Sequence, residues 1–131
     1  MQSVSLKDNT VVREVLSKDE VMDLAKEFAK DANEIFPTAT VILYGSYAKG
    51  LARPGSDIDI ALLFNTFPEA SVKKMFELEI SLERLVFEKY QRDIQFITRT
   101  FDDSSGIVGN ILDTGILISD PCNQVIEARD H

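Results

Sequence analysis

The stretch "SDIDIALLF", residues 56 to 64, limits what this chain can become more than any other. From Ile58 onward it is a short apolar run bounded upstream by the turn signal "RPGS", the pattern of a buried strand. Its opening residues nevertheless include two carboxylates. Side chains alternate along a strand, so Asp57 and Asp59 leave the same face roughly 6.5–7 Å apart, while Ile58 and Ile60 point the other way, toward a core. A carboxylate at the mouth of a buried strand is costly unless something neutralises it. Either the strand has a solvated polar start, or its end carries a cation.

The flanking sequence supplies the elements that would bury such a strand. Ser17 and Glu20 have the spacing of a capping box. Val21, Leu24, Ala25, Phe28, Ala32 and Ile35 follow at helical intervals, so a first amphipathic helix is expected to about Ile35. Residues 1–16 leave helix and strand both open around "TVVREVL". "TATVILYG" reads as a buried strand stopping at Gly45, and "SYAKGLA" as a short helix ended by the turn. Pro68 and Glu69 open a long helix to about Tyr90, with Val72, Met75, Phe76, Ile80, Leu82, Val86 and Phe87 over one wide apolar face. "RDIQFIT" alternates as a strand, Ile94 and Phe96 against Asp93 and Gln95. "SSGIVGNILDTG" suggests a short helix and "ILIS" a last strand, with "FDDSS" as helix N-cap and loop. Helices alternating with strands imply an α/β (α+β) fold, a mixed sheet with helices packed on it.

The chain's 131 residues suit one domain, its core spanning about residues 17–120. A net charge of −8 argues against general nucleic-acid binding, which needs a basic face, but leaves room for a local basic pocket. The N-terminal stretch has no apolar signal region and no run approaches the length of a membrane span, so no membrane partner and cytoplasmic residence are the expectation. Cys122, the single cysteine, reads as a small buried or half-buried side chain. Tyr47 is expected to pack against the sheet edge or a helix. His131 is terminal, which leaves no histidine-based mechanism.

Two carboxylates converging on one face are hard oxygen ligands for divalent ions. If the strand holding Asp93 pairs beside residues 57–63, Asp93 joins them. Three ionised carboxylates repel one another unless metal is bound, and such a triad is the equipment of two-metal phosphoryl or nucleotidyl transfer. Gly45 and Ser46 sit where a strand gives way to a helix, a place where backbone can approach a phosphate closely. Lys49 and Arg53 follow and are candidates to neutralise phosphate oxygens.

Gly45-Ser46, the spacer, Ser56-Asp57-Ile58-Asp59 and a later Asp93 on a strand together resemble the signature of the polymerase-β-type nucleotidyltransferase superfamily. Within it the short chain is similar to the minimal nucleotidyltransferase (MNT) group. The resemblance implies a nucleotidyltransferase fold that binds two Mg²⁺ ions and a nucleoside triphosphate, ATP foremost, and transfers NMP to an acceptor hydroxyl. It implies that Asp57 and Asp59 hold both metals and Asp93 the acceptor-side metal, and that Gly45 and Ser46 contact the β,γ-phosphates. Lys49, Arg53 and Ser56 complete the implied nucleotide site; the family often has Arg where this chain has Lys49, which keeps the charge and loses the bidentate fork. In the MNT group a HEPN-type toxin is often the partner, receiving AMP on a tyrosine in some pairs. The alternatives are a homo-oligomer acting on a small molecule such as an aminoglycoside, an antitoxin that only binds, and a nucleotide-sensing module. Removing one of the clustered charges relieves repulsion, so Asp57→Asn should abolish Mg²⁺-dependent transfer with little loss of stability, as read by labelled-nucleotide transfer beside urea unfolding.

Overall fold

The computed structural model describes residues 14–68 and 72–125. Four strands and four helices follow in the order α1 (Lys18–Ile35), β1 (Thr40–Tyr44), α2 (Gly45–Lys49), β2 (Ile58–Phe64), α3 (Val72–Tyr90), β3 (Ile94–Thr100), α4 (Ile107–Thr114) and β4 (Ile116–Ser119). The strands form one mixed sheet in the order β3-β2-β1-β4. β1 is antiparallel to β2 and β4, whereas β2 and β3 run parallel because α3 carries the chain back between them.

α1 begins at the expected capping box: the Ser17 hydroxyl accepts from the Glu20 N–H at 3.0 Å and the Glu20 carboxylate from the Ser17 N–H at 2.9 Å. Two orphan donors of the first turn are thereby satisfied. Its buried stripe runs from Val21 to Ala32. Ile35, expected in that stripe, is exposed, and Phe36 is buried in its stead because the helix has ended and the chain turns inward. The Asn33 amide holds this exit by donating to the carbonyls of Phe36 and Ala39.

β2 is buried along nearly its whole length on both faces. Ile58, Ile60, Leu62 and Phe64 join the larger core with α1 and α3, while Ala61 and Leu63 join a smaller one with Ile42, Val108 and Ile111 under α4. A strand covered on both sides reads as a continuous apolar run, which explains why only its first residues are polar. The turn entering it is also as expected: the Arg53 carbonyl accepts from the Ser56 N–H at 2.9 Å across Pro54 and Gly55, whose φ is +84°. Pro then Gly at the two central positions, with positive φ at the second, makes a type II turn.

Three further expectations are corrected. The wide apolar face of α3 is two faces: Leu78, Leu82 and Val86 are buried, whereas Val72, Phe76, Ile80 and Phe87 are exposed. Cys122 is exposed, since it lies in the turn that follows β4. The cap of α4 is Gly106, with Asp103 holding the preceding loop by accepting from the Ser105 N–H and hydroxyl. The start of the long helix at Glu69 and the open reading over residues 1–13 lie outside the described residues. Tyr47 packs on the larger core as expected, its hydroxyl accepting from the Leu16 N–H at 3.2 Å. No helix among the described residues is long and apolar enough to cross a membrane.

Two glycines separate packing from propensity. A Cβ at Gly115 would lie 2.5 Å from the Ile42 side chain and 2.6 Å from the Ile111 carbonyl, while one at Gly109, inside α4, would meet nothing within 4 Å. Urea unfolding should show Gly115→Ala destabilised by about 1–3 kcal/mol and Gly109→Ala stabilised by about 0.5–1 kcal/mol.

Candidate active site

The end of β1 and the start of β2 build the site between them. Tyr44 pairs with Asp59 in the antiparallel register, and Gly45 then turns the chain directly into α2 with φ of +75°. That left-handed conformation suits glycine, and so does the space: a Cβ on Gly45 would fall 2.0 Å from Asp59 Oδ2. The Asp59 carboxylate therefore rests on the Gly45 backbone, in the position a side chain would otherwise fill. Asp57, two residues upstream, is exposed.

Half-burial, and then the Asp57 charge, push Asp59 from its ordinary 3.8 up to about 6. Both causes penalise the same thing, the ionised form of Asp59. The donor set fits a divalent cation: two carboxylates two residues apart at the entrance of β2, one of them partly desolvated. Ile58 and Ile60 point into the larger core, as expected, which leaves the odd-numbered residues for the site.

Asp93 is placed differently from the expectation. β3 does pair beside β2, and the Ile58 N–H donates to the Asp93 carbonyl at 3.0 Å, which sets Asp93 on the rung next to Asp57. It precedes the first residue of β3, however, and borders an open groove with Ile80, Glu83, Arg84 and Phe87. Among the described residues no three Asp, Glu, His or Cys side chains gather closely enough to hold a metal. Among the carboxylates it is the Asp57 charge that adds to burial in raising Asp59.

The other expected contacts divide in the same way. Gly45 and half-buried Ser46 open α2 beside Asp59. Lys49, at the far end of that helix, borders a separate cavity of about 350 Å³ with Leu16, Met22 and Tyr47. Ser56 closes the type II turn, its hydroxyl accepting from the Arg53 N–H at 2.8 Å; the Arg53 side chain is exposed.

Two residues escaped the sequence reading. Burial, and secondarily Asp59, raise the Tyr44 phenol to about 12, with Arg99 acting in the opposite direction. Arg99 thus belongs to the electrostatic surroundings of the site, tethered by Asp103 at 3.5 Å. The parity of β3 was the available signal, because Gln95 and Arg99 fall on the odd-numbered face with Asp59, and Gln95 pairs with Asp59 directly.

The raised Asp59 sets a pH window. Between about 4 and 6 the folded protein keeps a proton that the unfolded chain has released, so this group's contribution to stability falls as pH rises from 3.8 to about 6 and is lowest above it. Asp59→Asn should therefore be more stable than the parent at about pH 7.5, with the gain shrinking toward about pH 4. Mg²⁺ at the higher pH should raise the unfolding midpoint of the parent and leave that of Asp59→Asn nearly unmoved.

Residues 25–122 match the family described as polymerase beta, nucleotidyltransferase. The protein adenylyltransferase MntA of Thermococcus cleftensis is 33% identical over 72 residues, covering 55% of this chain and 71% of its own. A Methanocaldococcus jannaschii chain provisionally named a protein adenylyltransferase is 33% identical over 67 residues, covering 51% of this chain and 76% of its own. Among solved structures, a mutant MntA-HpeT toxin-antitoxin shares the fold with a TM-score of 0.51 at 15% identity, over 88% of this chain and 89% of that one. With residues 25–122 matched to that family model, and a glycine turn cradling Asp59 at the start of β2, the chain belongs to the polymerase-β nucleotidyltransferase family.

Proposed function

We propose that the chain transfers AMP from ATP to a hydroxyl on a partner protein, acting as the antitoxin of a pair with a HEPN-type toxin. The reading is carried by Asp59, a half-buried carboxylate seated on Gly45 and repelled by Asp57, in a chain similar to named protein adenylyltransferases. When bound, two Mg²⁺ ions would polarise the α-phosphate and lower the pKa of the acceptor hydroxyl.

Asp57 and Asp59 would hold those ions, and their repulsion in the free protein is what the cations relieve. Gly45 and Ser46 would hold the β,γ-phosphates at the start of α2. Arg53 remains a candidate for the outgoing pyrophosphate, whereas the separate cavity bordered by Lys49 makes that residue the weaker one. The acceptor oxygen forms a bond to the α-phosphorus, the bond to pyrophosphate breaks, and the acceptor's proton passes to Asp93 or to solvent. Asp93 takes this role on the rung beside Asp57, where an acceptor entering from the β3 side would meet it.

The separation of Asp93 from the other two carboxylates favours one second reading, an antitoxin that binds its partner without turnover. Incubation with each of four α-labelled NTPs and Mg²⁺ in lysate distinguishes the two. Label from ATP on a protein, lost with Asp57→Asn, is the expected result. Label on a small molecule, or on nothing while the partner is still neutralised, would overturn the proposal.

A further inference from the structure

The rung that carries Asp59 has a member on each side of it. Tyr44 of β1 is its antiparallel partner and Gln95 of β3 its parallel one. Directly paired residues of neighbouring strands leave the same face about 5 Å apart, so all three side chains stand on the face of the site. Alternation along β3 agrees. Phe96 packs on the larger core, on the opposite face, while Ile97 joins Ala61 and Leu63 in the smaller one. The two flanks of Asp59 differ. On the β1 side its Oδ2 rests against Gly45, and Tyr44 is half-buried against the smaller core. On the β3 side Gln95 is exposed, and its carboxamide makes no hydrogen bond among the described residues.

Strand order gives the transfer a direction. The function proposed above seats the β,γ-phosphates at Gly45 and Ser46, beyond the end of β1, and the α-phosphate over Asp57 and Asp59 of β2. Attacking and leaving oxygens lie roughly in line through the phosphorus in such a displacement. With pyrophosphate departing toward β1, the acceptor oxygen has to arrive from the opposite flank, and in the order β3-β2-β1-β4 that flank is β3. Asp93 stands there on the rung beside Asp57, and Gln95 on that of Asp59.

We propose that Gln95 is the residue that binds the acceptor hydroxyl. Its carboxamide oxygen accepts from the acceptor O–H and holds that oxygen in line with the α-phosphorus. An amide suits the task because it orients a neutral hydroxyl without adding a charge next to Asp57 and Asp59, as a carboxylate at this position would. Gln95 neither gains nor loses a proton. The acceptor oxygen bonds to the α-phosphorus, the bond to pyrophosphate breaks, and the acceptor's proton goes to Asp93 or to solvent. The assignment rests on the transfer reading, since only a transfer has an acceptor to place.

The test compares the parent with Gln95→Met, which keeps the reach of the side chain and removes its hydrogen bonding, and with Gln95→Asn, which keeps the amide on a shorter stem. Each full chain receives α-labelled ATP, Mg²⁺ and lysate of the native host, and the initial rate of protein labelling is measured. Calorimetry with Mg²⁺ and the non-cleavable analogue α,β-methylene-ATP reads nucleotide binding separately, and urea unfolding reads stability. Gln95→Met should slow labelling about 10- to 100-fold and Gln95→Asn by less, while both keep the parent's nucleotide affinity and unfolding midpoint. Labelling by Gln95→Met at the parent's rate would overturn the assignment. So would a loss of labelling matched by an equal loss of nucleotide affinity, because Gln95 would then serve the nucleotide. A parent that binds the analogue and labels no protein would refute the transfer reading, and the assignment with it.

Discussion

The contact between the Asp59 carboxylate and the bare Cα of Gly45 is the constraint around which this end of the molecule is arranged. It requires β1 and β2 to be in one register, with Tyr44 opposite Asp59. It requires the chain to leave β1 through a left-handed residue and enter α2 at once. It also leaves a charge half-desolvated beside a second charge, a state that the protein tolerates because β2 is anchored on both faces further along. A slip of one residue would exchange Asp59 for Ile58 against Gly45 and turn the apolar residues of the larger core outward.

Most of this framework was readable in the chain itself. The capping box, the Arg53–Ser56 turn, the apolar run from Ile58 and the alternation of β3 are local signals, and each produced the expected element. What was not readable depends on which neighbour an element meets. Nothing within α3 distinguishes Leu82 from Phe76; only the position of the sheet makes one core and leaves the other at the surface. Ile35 and Cys122 fail for a similar reason, since each stands where an element ends and the chain turns.

The site divides along the same line. Asp57, Asp59 and Gly45 lie on elements adjacent in both sequence and space, and their grouping could be inferred from spacing and strand parity. Asp93 arrives by way of a long crossover helix, so its rung was inferable and its surroundings were not. Tyr44 and Arg99 carried no motif. They matter because the sheet places the Tyr44 phenol between the opposing charges of Asp59 and Arg99, a relationship that parity suggests only once the strand order is known.

Arg92 gives the segment ahead of α1 a bearing on chemistry that it never touches. Its buried guanidinium grips the carbonyl of Glu14 on one side and that of Tyr90 on the other, and the next residue in the chain is Asp93. The backbone leading into α1 is thereby tied to the strand entrance that carries the third aspartate. Tension, a fusion or a bound molecule acting on the chain near Glu14 would be transmitted to that entrance within a single side chain's length. The stretch from Glu14 to α1 is in this sense a tether on the entrance of β3, and altering it would be a mechanical intervention on that entrance.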